Sequence, residues 1–312
     1  MIYHFSEWEY ARNGRRAPYT PWPECQNRED YSAAVIHTVF SCSGSLYQRW
    51  QADLLAYSHR KVRQPGPLSR LLSAHEQPPP FAGRTFRTKP YSPHPLTGDD
   101  YSPYNKPKAL QDWLREAPPT EAAVLILDPD CIFSKPLVGS VSRGHPIAQP
   151  MSYLDPKHDH NLELVEKHCA NPELVDGVGI PILIHRDDLA AVVPLWLKKT
   201  EEIRDNPKSR ELAGWVAEMW AYAFATADLG LRHTTRELAR VSTEDRADLP
   251  IVHYCYSLSD AEGHWTWDKR GYRPWERVSD PPDNIPLASK ALISLLNEWV
   301  AMPEHQICLF EA

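Results

Sequence analysis

The sequence contains no long hydrophobic run and no closely spaced pair of cysteines. No segment reaches about 18 consecutive apolar residues, the length that marks a membrane-spanning helix, and the chain opens on polar and aromatic residues rather than on a signal-peptide core. The six cysteines lie far apart without a CxxC pair, which is typical of free thiols in a reducing compartment. We therefore expect a soluble, cytoplasmic protein with no membrane anchor.

The sequence also has no excess of positive charge. The formal net charge is −7 and the pI is near 6.1, which gives no electrostatic footprint for nucleic acid or for an anionic membrane. Apolar residues and proline are abundant instead: 42% of the 312 residues are hydrophobic and 30 are proline. This composition predicts a sizeable core with many loops, and no nucleic-acid partner.

Apolar runs and helical periodicities alternate along the chain. This alternation predicts an α/β fold with a mostly parallel central sheet flanked by helices. Strands are expected at 33–40, 68–73, 122–127, 178–185 and 251–256, and helices at 46–59, 109–116, 186–202, 211–229 and 285–302. The helix at 211–229 should be the longest, and the proline-rich residues 76–104 should form a long loop.

The chain divides into three predicted regions. Residues 1–32 are rich in proline and aromatic residues and should form an extended arm. The α/β domain is expected at 33–282, and residues 283–312 should supply a C-terminal helix that packs on it. No internal repeat or low-complexity segment interrupts this organisation.

Two aspartates follow the densest apolar run of the chain. Asp128 and Asp130 come directly after 122–127, and side chains two residues apart in an extended segment point the same way. Ligands of open α/β sheets bind outside the carboxyl ends of the strands, and paired carboxylates there suit Mg2+ or Mn2+, which would hold a diphosphate. This Asp-x-Asp arrangement is typical of metal-dependent GT-A glycosyltransferases that use nucleotide sugars. A simple turn is the alternative interpretation.

Eight short segments, taken in order, carry a family resemblance. They are HTVFS at 37–41, QPGPLSRLL at 64–72, HPLTGD at 94–99, YNKP at 104–107, LDPD at 127–130, LWLKKTEE at 195–202, GWVAEM at 214–219, and VHY at 252–254 followed by WTWDK at 265–269. They resemble segments of the peptidyl serine α-galactosyltransferases and of the related hydroxyproline O-arabinosyltransferases. The galactosyltransferase branch looks closer, because QPGP and PLTGD are both present.

The resemblance implies a retaining transferase with a GT-A-like (Rossmann-like) fold that uses a UDP-sugar. It implies that His253, on a late strand, joins Asp128 and Asp130 as a metal ligand, and that Lys269 binds the diphosphate. From the residues alone, His253 could equally be a core histidine and Lys269 a surface charge. The expected cofactor is a divalent metal, Mn2+ or Mg2+, which together with the lysine would neutralise the departing UDP.

The same resemblance predicts further residues that bind the nucleotide or the donor sugar. These are Val39, Phe40 and Ser41 at the end of the first strand, Arg70 after the QPGP segment, and Asn105 and Lys106 in the YNKP segment. The first three occupy the strand end at which α/β folds bind a nucleotide. Arg70 could instead be solvated, and Asn105 could be a helix cap.

Two carboxylates are predicted to act on the sugar. Glu218 lies within an otherwise apolar helix, where a carboxylate is costly unless it is paired or functional, so it could contact the sugar or position the acceptor. The alternative for Glu218 is a bond to a buried arginine. Asp99, in the Thr-Gly-Asp segment, is a donor-sugar candidate, and a plain turn is its alternative.

The predicted function is retaining, metal-dependent transfer of a sugar from UDP to a hydroxyl acceptor. Galactose is the first choice and arabinofuranose the second, and the acceptor could be peptide serine, hydroxyproline or a small molecule. A nucleotide-sugar-binding protein without turnover is the main rival. A nucleotidyltransferase is the other rival, and it would need a glycine-rich basic loop after the first strand, which Cys42-Ser43-Gly44 matches poorly.

Overall fold

The computed structural model describes residues 35–75, 80–246 and 248–302, so the predicted arm at 1–32 and residues 303–312 lie outside the described part. The strands are β1 (Ile36–Ser43), β2 (Leu68–Ser73), β3 (Arg84–Thr88), β4 (Ala123–Leu127), β5 (Cys131–Phe133), β6 (Ile147–Pro150), β7 (Val178–His185), β8 (Thr234–Thr235), β9 (Ala239–Val241), β10 (Ile251–His253), β11 (Leu258–Ser259) and β12 (Thr266–Trp267). The helices are α1 (Leu46–Lys61), α2 (Asn105–Glu116), α3 (Asp159–His168), α4 (Arg186–Asp205), α5 (Pro207–Ala213), α6 (Ala217–Asp228) and α7 (Leu287–Val300).

A seven-stranded sheet forms the centre of the described domain, in the order β3-β2-β1-β4-β7-β6-β8. Strands β3, β2, β1 and β4 run parallel, whereas β7 pairs antiparallel with both β4 and β6. The β1–β4 register places Phe40 beside Leu127, so the carboxyl ends of these strands meet at one edge. The predicted mostly parallel sheet flanked by helices is confirmed.

Apolar side chains on alternate positions attach helices to both faces of this sheet. Val124 and Ile126 of β4 share a buried cluster with residues of α2, α4 and α6, whereas Leu125 and Leu127 share one with residues of α1. Every residue of β4 is buried, as is typical of a strand that is covered on both faces. No helix within the described ranges is both long and apolar enough to cross a bilayer.

The C-terminal helix α7 packs beside a smaller three-stranded sheet in the order β5-β10-β9. Leu292 and Leu296 of α7 share a buried cluster with Trp50 of α1 and Val252 of β10. This packing holds β10 in place, and His253 is the last residue of β10.

The predicted helix at 211–229 is wrong in its length. The chain instead forms α5, a 3-10 turn at Gly214–Val216 and α6, and the 20-residue α4 is the longest helix of the described chain. Gly214 has a φ of 53°, a left-handed conformation that L side chains rarely adopt, and α5 ends there. The break makes Glu218 a first-turn residue of α6 rather than a mid-helix residue.

Four other predicted boundaries also need correction. The expected loop at 76–104 contains β3, whose side chains are mostly exposed at the sheet edge and therefore show no clear apolar alternation. The first strand continues to Ser43, the strand expected at 251–256 ends at His253, and α2 begins at Asn105 rather than at 109.

Candidate active site

The end of β4 and the end of β10 meet at the carboxyl edge of the domain. Asp128 and Asp130 follow β4, and β5 pairs antiparallel with β10 so that Cys131 lies opposite His253. The Tyr254 backbone N–H donates to the Asp130 carbonyl at 3.0 Å, and this hydrogen bond extends the β5–β10 pairing by one residue on each strand. The pairing brings Asp130 and His253 together although they lie far apart in the sequence.

Asp130 is held by a histidine and a lysine. His253 Nε2 lies 3.2 Å from Asp130 Oδ1, and the Lys269 ammonium forms a salt bridge with Oδ2. Burial would raise the pKa of Asp130, but His253 and Lys269 hold it well below its usual range. Burial also disfavours the charged forms of His253 and Lys269, yet the Asp130 carboxylate raises the pKa of both. Asp130 is therefore charged at neutral pH.

Asp128 belongs to a second cluster, which Lys106 bridges. Lys106 Nζ lies 2.8 Å from Asp128 Oδ1 and 3.4 Å from Glu218 Oε2. Burial disfavours the ammonium, but the two carboxylates raise the pKa of Lys106 above its ordinary value. Burial raises the pKa of Glu218 to about 7, because the nearby Lys106 offsets it only in part and Asp128 repels a second charge. The partner of Glu218 is thus a lysine rather than an arginine, and Glu218 titrates near neutral pH.

A divalent cation fits the donor set at this edge. Asp130 Oδ1 and His253 Nε2 are 3.2 Å apart. Two ligands that bind one ion at right angles through bonds of about 2.1 Å lie about 3 Å apart, so both atoms could bind the same ion. Carboxylate oxygen and imidazole nitrogen are also ligands that Mn2+ accepts.

A thiol lies close to the same two ligands. Among the described residues, the candidate ligand atoms of Asp130, Cys131 and His253 lie within 4.8 Å of one another. Burial raises the pKa of the Cys131 thiol well above its ordinary value, so the thiol is protonated and is a poor metal ligand. Asp128 is not in this group, and its Oδ1 instead contacts Lys106, so its role as a ligand stays a prediction.

The predicted nucleotide residues on β1 and β2 lie mostly in the core. Val39 and Phe40 are buried inside β1, which continues beyond them, whereas Ser41 is half-buried. Arg70 is 1% exposed on β2, and its guanidinium donates to Thr85 Oγ1 at 3.0 Å. Its burial excludes the solvated alternative, and a nucleotide contact of these residues stays a prediction.

Asn105 and Asp99 hold the loop that precedes α2. Asn105 Oδ1 accepts from the Tyr91 N–H at 2.7 Å, so this side chain fixes the loop backbone. Asp99 accepts two hydrogen bonds of 2.8 Å from the Arg204 guanidinium and one of 3.1 Å from the Tyr104 hydroxyl. These donors, Arg204 first, lower the pKa of Asp99. The role of Asp99 at the donor sugar stays a prediction, since its carboxylate already has three protein donors.

Tyr101 and Tyr153 are site residues that sequence reasoning missed. The Tyr101 hydroxyl accepts from the Glu218 backbone N–H at 3.0 Å and donates to the Trp215 carbonyl at 2.6 Å. The Tyr153 hydroxyl lies 3.8 Å from Met219 Sδ, next to Glu218 along α6. Both tyrosines lie at short 3-10 turns, where no periodicity or motif marks them.

Comparison with known proteins places the chain in a family. A profile of the hydroxyproline O-arabinosyltransferase family N-terminal domain matches residues 36–235, more than half of the chain. The chain belongs to this family. The peptidyl serine alpha-galactosyltransferase of Arabidopsis thaliana is 34% identical over 274 residues, and the match covers 79% of this chain and 34% of that protein. Hydroxyproline O-arabinosyltransferase NOD3 of Pisum sativum is 28% identical over 85% of this chain and 86% of its own length.

This member of the hydroxyproline O-arabinosyltransferase family has the GT-A fold. The crystal structure of galactosyltransferase LgtC in complex with donor and acceptor sugar analogues matches with a TM-score of 0.51 and 12% identity, covering 86% of this chain and 98% of that one. At this identity the likeness shows the fold alone. The predicted family of glycosyltransferases and the predicted GT-A fold are both confirmed. The chain spans 34% of the length of the Arabidopsis galactosyltransferase.

Proposed function

We propose that the chain is a retaining, metal-dependent transferase that moves galactose from UDP-galactose to the hydroxyl of a peptide serine or hydroxyproline. The observation that carries this proposal is the buried cluster in which Asp130 lies between His253 and Lys269 at the carboxyl edge of the sheet. The acceptor class is supported by the names of the relatives, which are a peptidyl serine galactosyltransferase and hydroxyproline arabinosyltransferases. Arabinofuranose is the alternative donor sugar for the same reason.

Asp128, Asp130 and His253 would hold the divalent ion, Mn2+ or Mg2+. When bound, the ion would supply positive charge for the diphosphate of the donor. Asp130 is fixed through both its backbone and its side chain, so it would be the rigid ligand. Asp128 would exchange its salt bridge with Lys106 for a bond to the ion. Lys106 would then keep Glu218 as its remaining carboxylate partner.

Two lysines position charge around this centre. Lys269 is 6% exposed, and its ammonium forms a salt bridge with Asp130. A fixed charge in a site that excludes water stabilises an anionic leaving group more strongly than the same charge in water. We assign the stabilisation of departing UDP to Lys269 and the positioning of Asp128 and Glu218 to Lys106.

Glu218 is assigned to the donor sugar. Its carboxyl is buried at the start of α6, and the Lys106 bridge ties it to the Asp128 side of the site. A retaining transfer on one face of the sugar needs no separate protein base, since the leaving phosphate oxygen can take the acceptor proton. Glu218 therefore acts by a hydrogen bond to the sugar rather than as a general base.

The test is a panel of UDP-sugars in thermal unfolding, with and without Mn2+. Binding to the folded state alone stabilises it by RT ln(1 + [L]/Kd), about 2.7 kcal/mol at a hundredfold excess over Kd. We expect UDP-galactose to raise the unfolding temperature more than UDP-glucose or UDP-N-acetylglucosamine, and only with a divalent ion. A shift with UDP-arabinofuranose alone would make arabinofuranose, rather than galactose, the transferred sugar. The absence of a shift with every UDP-sugar would contradict the proposal. A β-linked galactose product would exclude retention.

A further inference from the structure

The start of α6 has no capping side chain of its own. The helix begins at Ala217, and Val216 at its N-cap makes no side-chain hydrogen bond. The first four N–H groups of a helix have no partner within it, so they need acceptors from elsewhere. Tyr101 supplies one of them from 117 residues away, because its hydroxyl accepts from the Glu218 N–H at 3.0 Å. The backbone that carries Glu218 is therefore held by a side chain from the segment before α2.

The Tyr101 hydroxyl lies between two backbone groups of the same turn. It also donates to the Trp215 carbonyl at 2.6 Å. Trp215 and Glu218 have the spacing of a 3-10 hydrogen bond, and the preceding turn at Gly214–Val216 has 3-10 geometry. The Glu218 carbonyl in turn accepts from Trp196 Nε1 of α4 at 2.8 Å. Side chains of two other segments thus fix both backbone groups of Glu218.

The ring of Tyr101 is itself held tightly, and its side chain is buried. The Arg204 guanidinium carbon lies 4.3 Å from the ring centroid, as in a cation–π contact, and the Tyr104 ring meets it edge-on with centroids 5.3 Å apart. Asp99 holds the guanidinium through two hydrogen bonds of 2.8 Å. Such a two-pronged pair fixes the orientation of the guanidinium as well as its place. The Tyr101 hydroxyl therefore has little freedom to move away from Glu218.

Asp99, Arg204 and Tyr101 are here called the Tyr101 network. We propose that this network positions the Glu218 carboxylate for the donor sugar, and that Asp99 is a positioning residue that does not touch the sugar. The inference rests on the proposed function, in which Glu218 contacts the sugar. A displacement of about 1 Å in an active site can cost about a hundredfold in rate, so a group without substrate contact can control transfer.

The same tyrosine also joins the two segments that form the Lys106–Glu218 ion pair. From Tyr101 the chain passes through a short 3-10 turn into α2, whose first turn carries Lys106. Lys106 Nζ lies 3.4 Å from Glu218 Oε2. Since the Tyr101 hydroxyl bonds the backbone of Glu218, it ties the start of α2 to the start of α6. The network therefore sets the place of the carboxylate relative to its lysine partner.

Transfer from UDP-galactose to a synthetic peptide that contains serine and hydroxyproline tests the inference on the full chain. Tyr101→Phe keeps the ring and removes the hydroxyl, so kcat should fall about tenfold while Mn2+-dependent UDP affinity stays the same. Asp99→Asn weakens the hold on Arg204 and should lower kcat by a smaller factor. Tyr222→Phe is the matched control, since it removes another buried tyrosine hydroxyl, which lies 3.0 Å from His233 Nε2. It should leave transfer unchanged.

A Glu218→Ala background separates positioning from a general loss of structure, because it removes the group that is positioned. In this background Tyr101→Phe and Asp99→Asn should each lower the residual transfer by less than about twofold. Loss by the same factor in both backgrounds, or an unchanged kcat in Tyr101→Phe, would overturn the inference. If Asp99→Asn alone lowers transfer by the same factor in both backgrounds, Asp99 acts on the substrate independently and its assignment is wrong.

Hydrogen exchange at the Glu218 amide gives a readout that does not depend on activity. Tyr101→Phe removes the acceptor of this N–H, so its exchange should become at least about tenfold faster, whereas Tyr222→Phe should leave it as in the wild type. Unchanged exchange in Tyr101→Phe would overturn the Tyr101 network even where the wild type transfers galactose. Absence of transfer and of a donor shift in the wild type, with Tyr101-dependent exchange at Glu218, would overturn the proposed function and leave the anchoring of Glu218 by Tyr101.

Discussion

The amino and carboxyl edges of the central sheet carry polar clusters of different construction. At the amino edge, His37 Nδ1 donates to Glu121 at 2.8 Å and the Ser69 hydroxyl donates to His37 Nε2 at 2.8 Å, so each group has its partner inside the cluster. At the carboxyl edge, Asp130 is shared by His253 and Lys269, and Lys106 is shared by Asp128 and Glu218. The first arrangement is a hydrogen-bond network, and the second is a set of concentrated charges.

This difference separates stability from function. Ser69, His37 and Glu121 are hydrogen-bonded in the order of a hydrolytic triad. Ser69 is only 2% exposed within β2, however, so its hydroxyl hydrogen-bonds to His37 and is not accessible to a substrate. In the proposed function, charged groups at the carboxyl edge would exchange their protein partners for a metal ion and a diphosphate, because these ligands carry the complementary charges. We therefore expect changes at the amino edge to act on stability and changes at the carboxyl edge to act on transfer.

The largest effect is expected from the two aspartates. Asp130→Asn and Asp128→Asn should each reduce sugar transfer on the order of a thousandfold and abolish Mn2+-dependent UDP binding, measured by calorimetry. His253→Ala should weaken metal binding less, because two anionic ligands remain. Asp130→Asn should also lower the unfolding temperature, since it leaves the buried Lys269 without its carboxylate. Retained Mn2+-dependent UDP affinity in both aspartate variants would contradict the metal site.

A smaller loss of transfer is expected from Glu218→Gln. This change keeps the shape of the side chain and removes its charge, so transfer should fall about a hundredfold while UDP affinity stays the same. The sugar, and not the nucleotide, faces Glu218 in the proposed function. A large fall in unfolding temperature with normal transfer would make Glu218 a structural partner of Lys106 only.

Opposite pH dependences of stability should distinguish the two edges. Burial raises the pKa of Glu218 from 4.5 to about 7, so the folded state binds more protons than the unfolded state in this window, and stability falls as the pH rises through it. Burial lowers the pKa of His37 below 6.5, against the pull of Glu121, so stability falls as the pH drops below 6.5. Denaturant midpoints measured at several pH values test this. Glu218→Gln should remove the fall of stability with rising pH, and His37→Gln should remove the fall of stability with falling pH. The same slope in wild type and variant would exclude the assigned group.

The central strands and the outline of the site were predictable from local patterns and from the family resemblance. The strands at 68–73 and 178–185 have the predicted bounds, because their apolar runs are short and bounded by turn residues. Asp130, His253 and Lys269 were predicted as neighbours only through the resemblance, since no local pattern links the turn after β4, the end of β10 and a late loop.

The rest depends on contacts between distant segments. Lys106 and Glu218 are 112 residues apart in the sequence, and only the folded structure shows that the Lys106 ammonium joins Glu218 to Asp128. The break at Gly214 was hidden because apolar residues continue on both sides of it. Tyr101 and Tyr153 were missed because both lie at short 3-10 turns, which have no sequence period.

A change at the amino edge should cost stability and leave transfer unchanged. Ser69→Ala removes the donor to His37 Nε2, and leaving a buried polar atom without its partner costs about 1–3 kcal/mol. Ser73→Ala on the same strand is the matched control, since the buried Ser73 hydroxyl has no hydrogen-bond partner among the described residues and its loss should cost less. Urea unfolding measures both. A fall in transfer rate at unchanged stability in Ser69→Ala would contradict a purely structural amino edge.

The smallest effect is expected from Cys131→Ala, which asks whether the thiol beside Asp130 is a ligand. The buried thiol is protonated, and a hard ion such as Mn2+ prefers oxygen and imidazole ligands, so Mn2+ affinity should change less than about twofold. Cys169→Ala removes another buried free thiol and controls for the lost packing. A tenfold loss of affinity confined to Cys131→Ala, with loss of a preference for Zn2+ over Mn2+, would instead make the centre a softer Asp-Cys-His site. Asp128 would then be free to act on the donor together with Lys106, and the cluster of Lys106, Asp128 and Glu218 would serve sugar binding rather than metal binding.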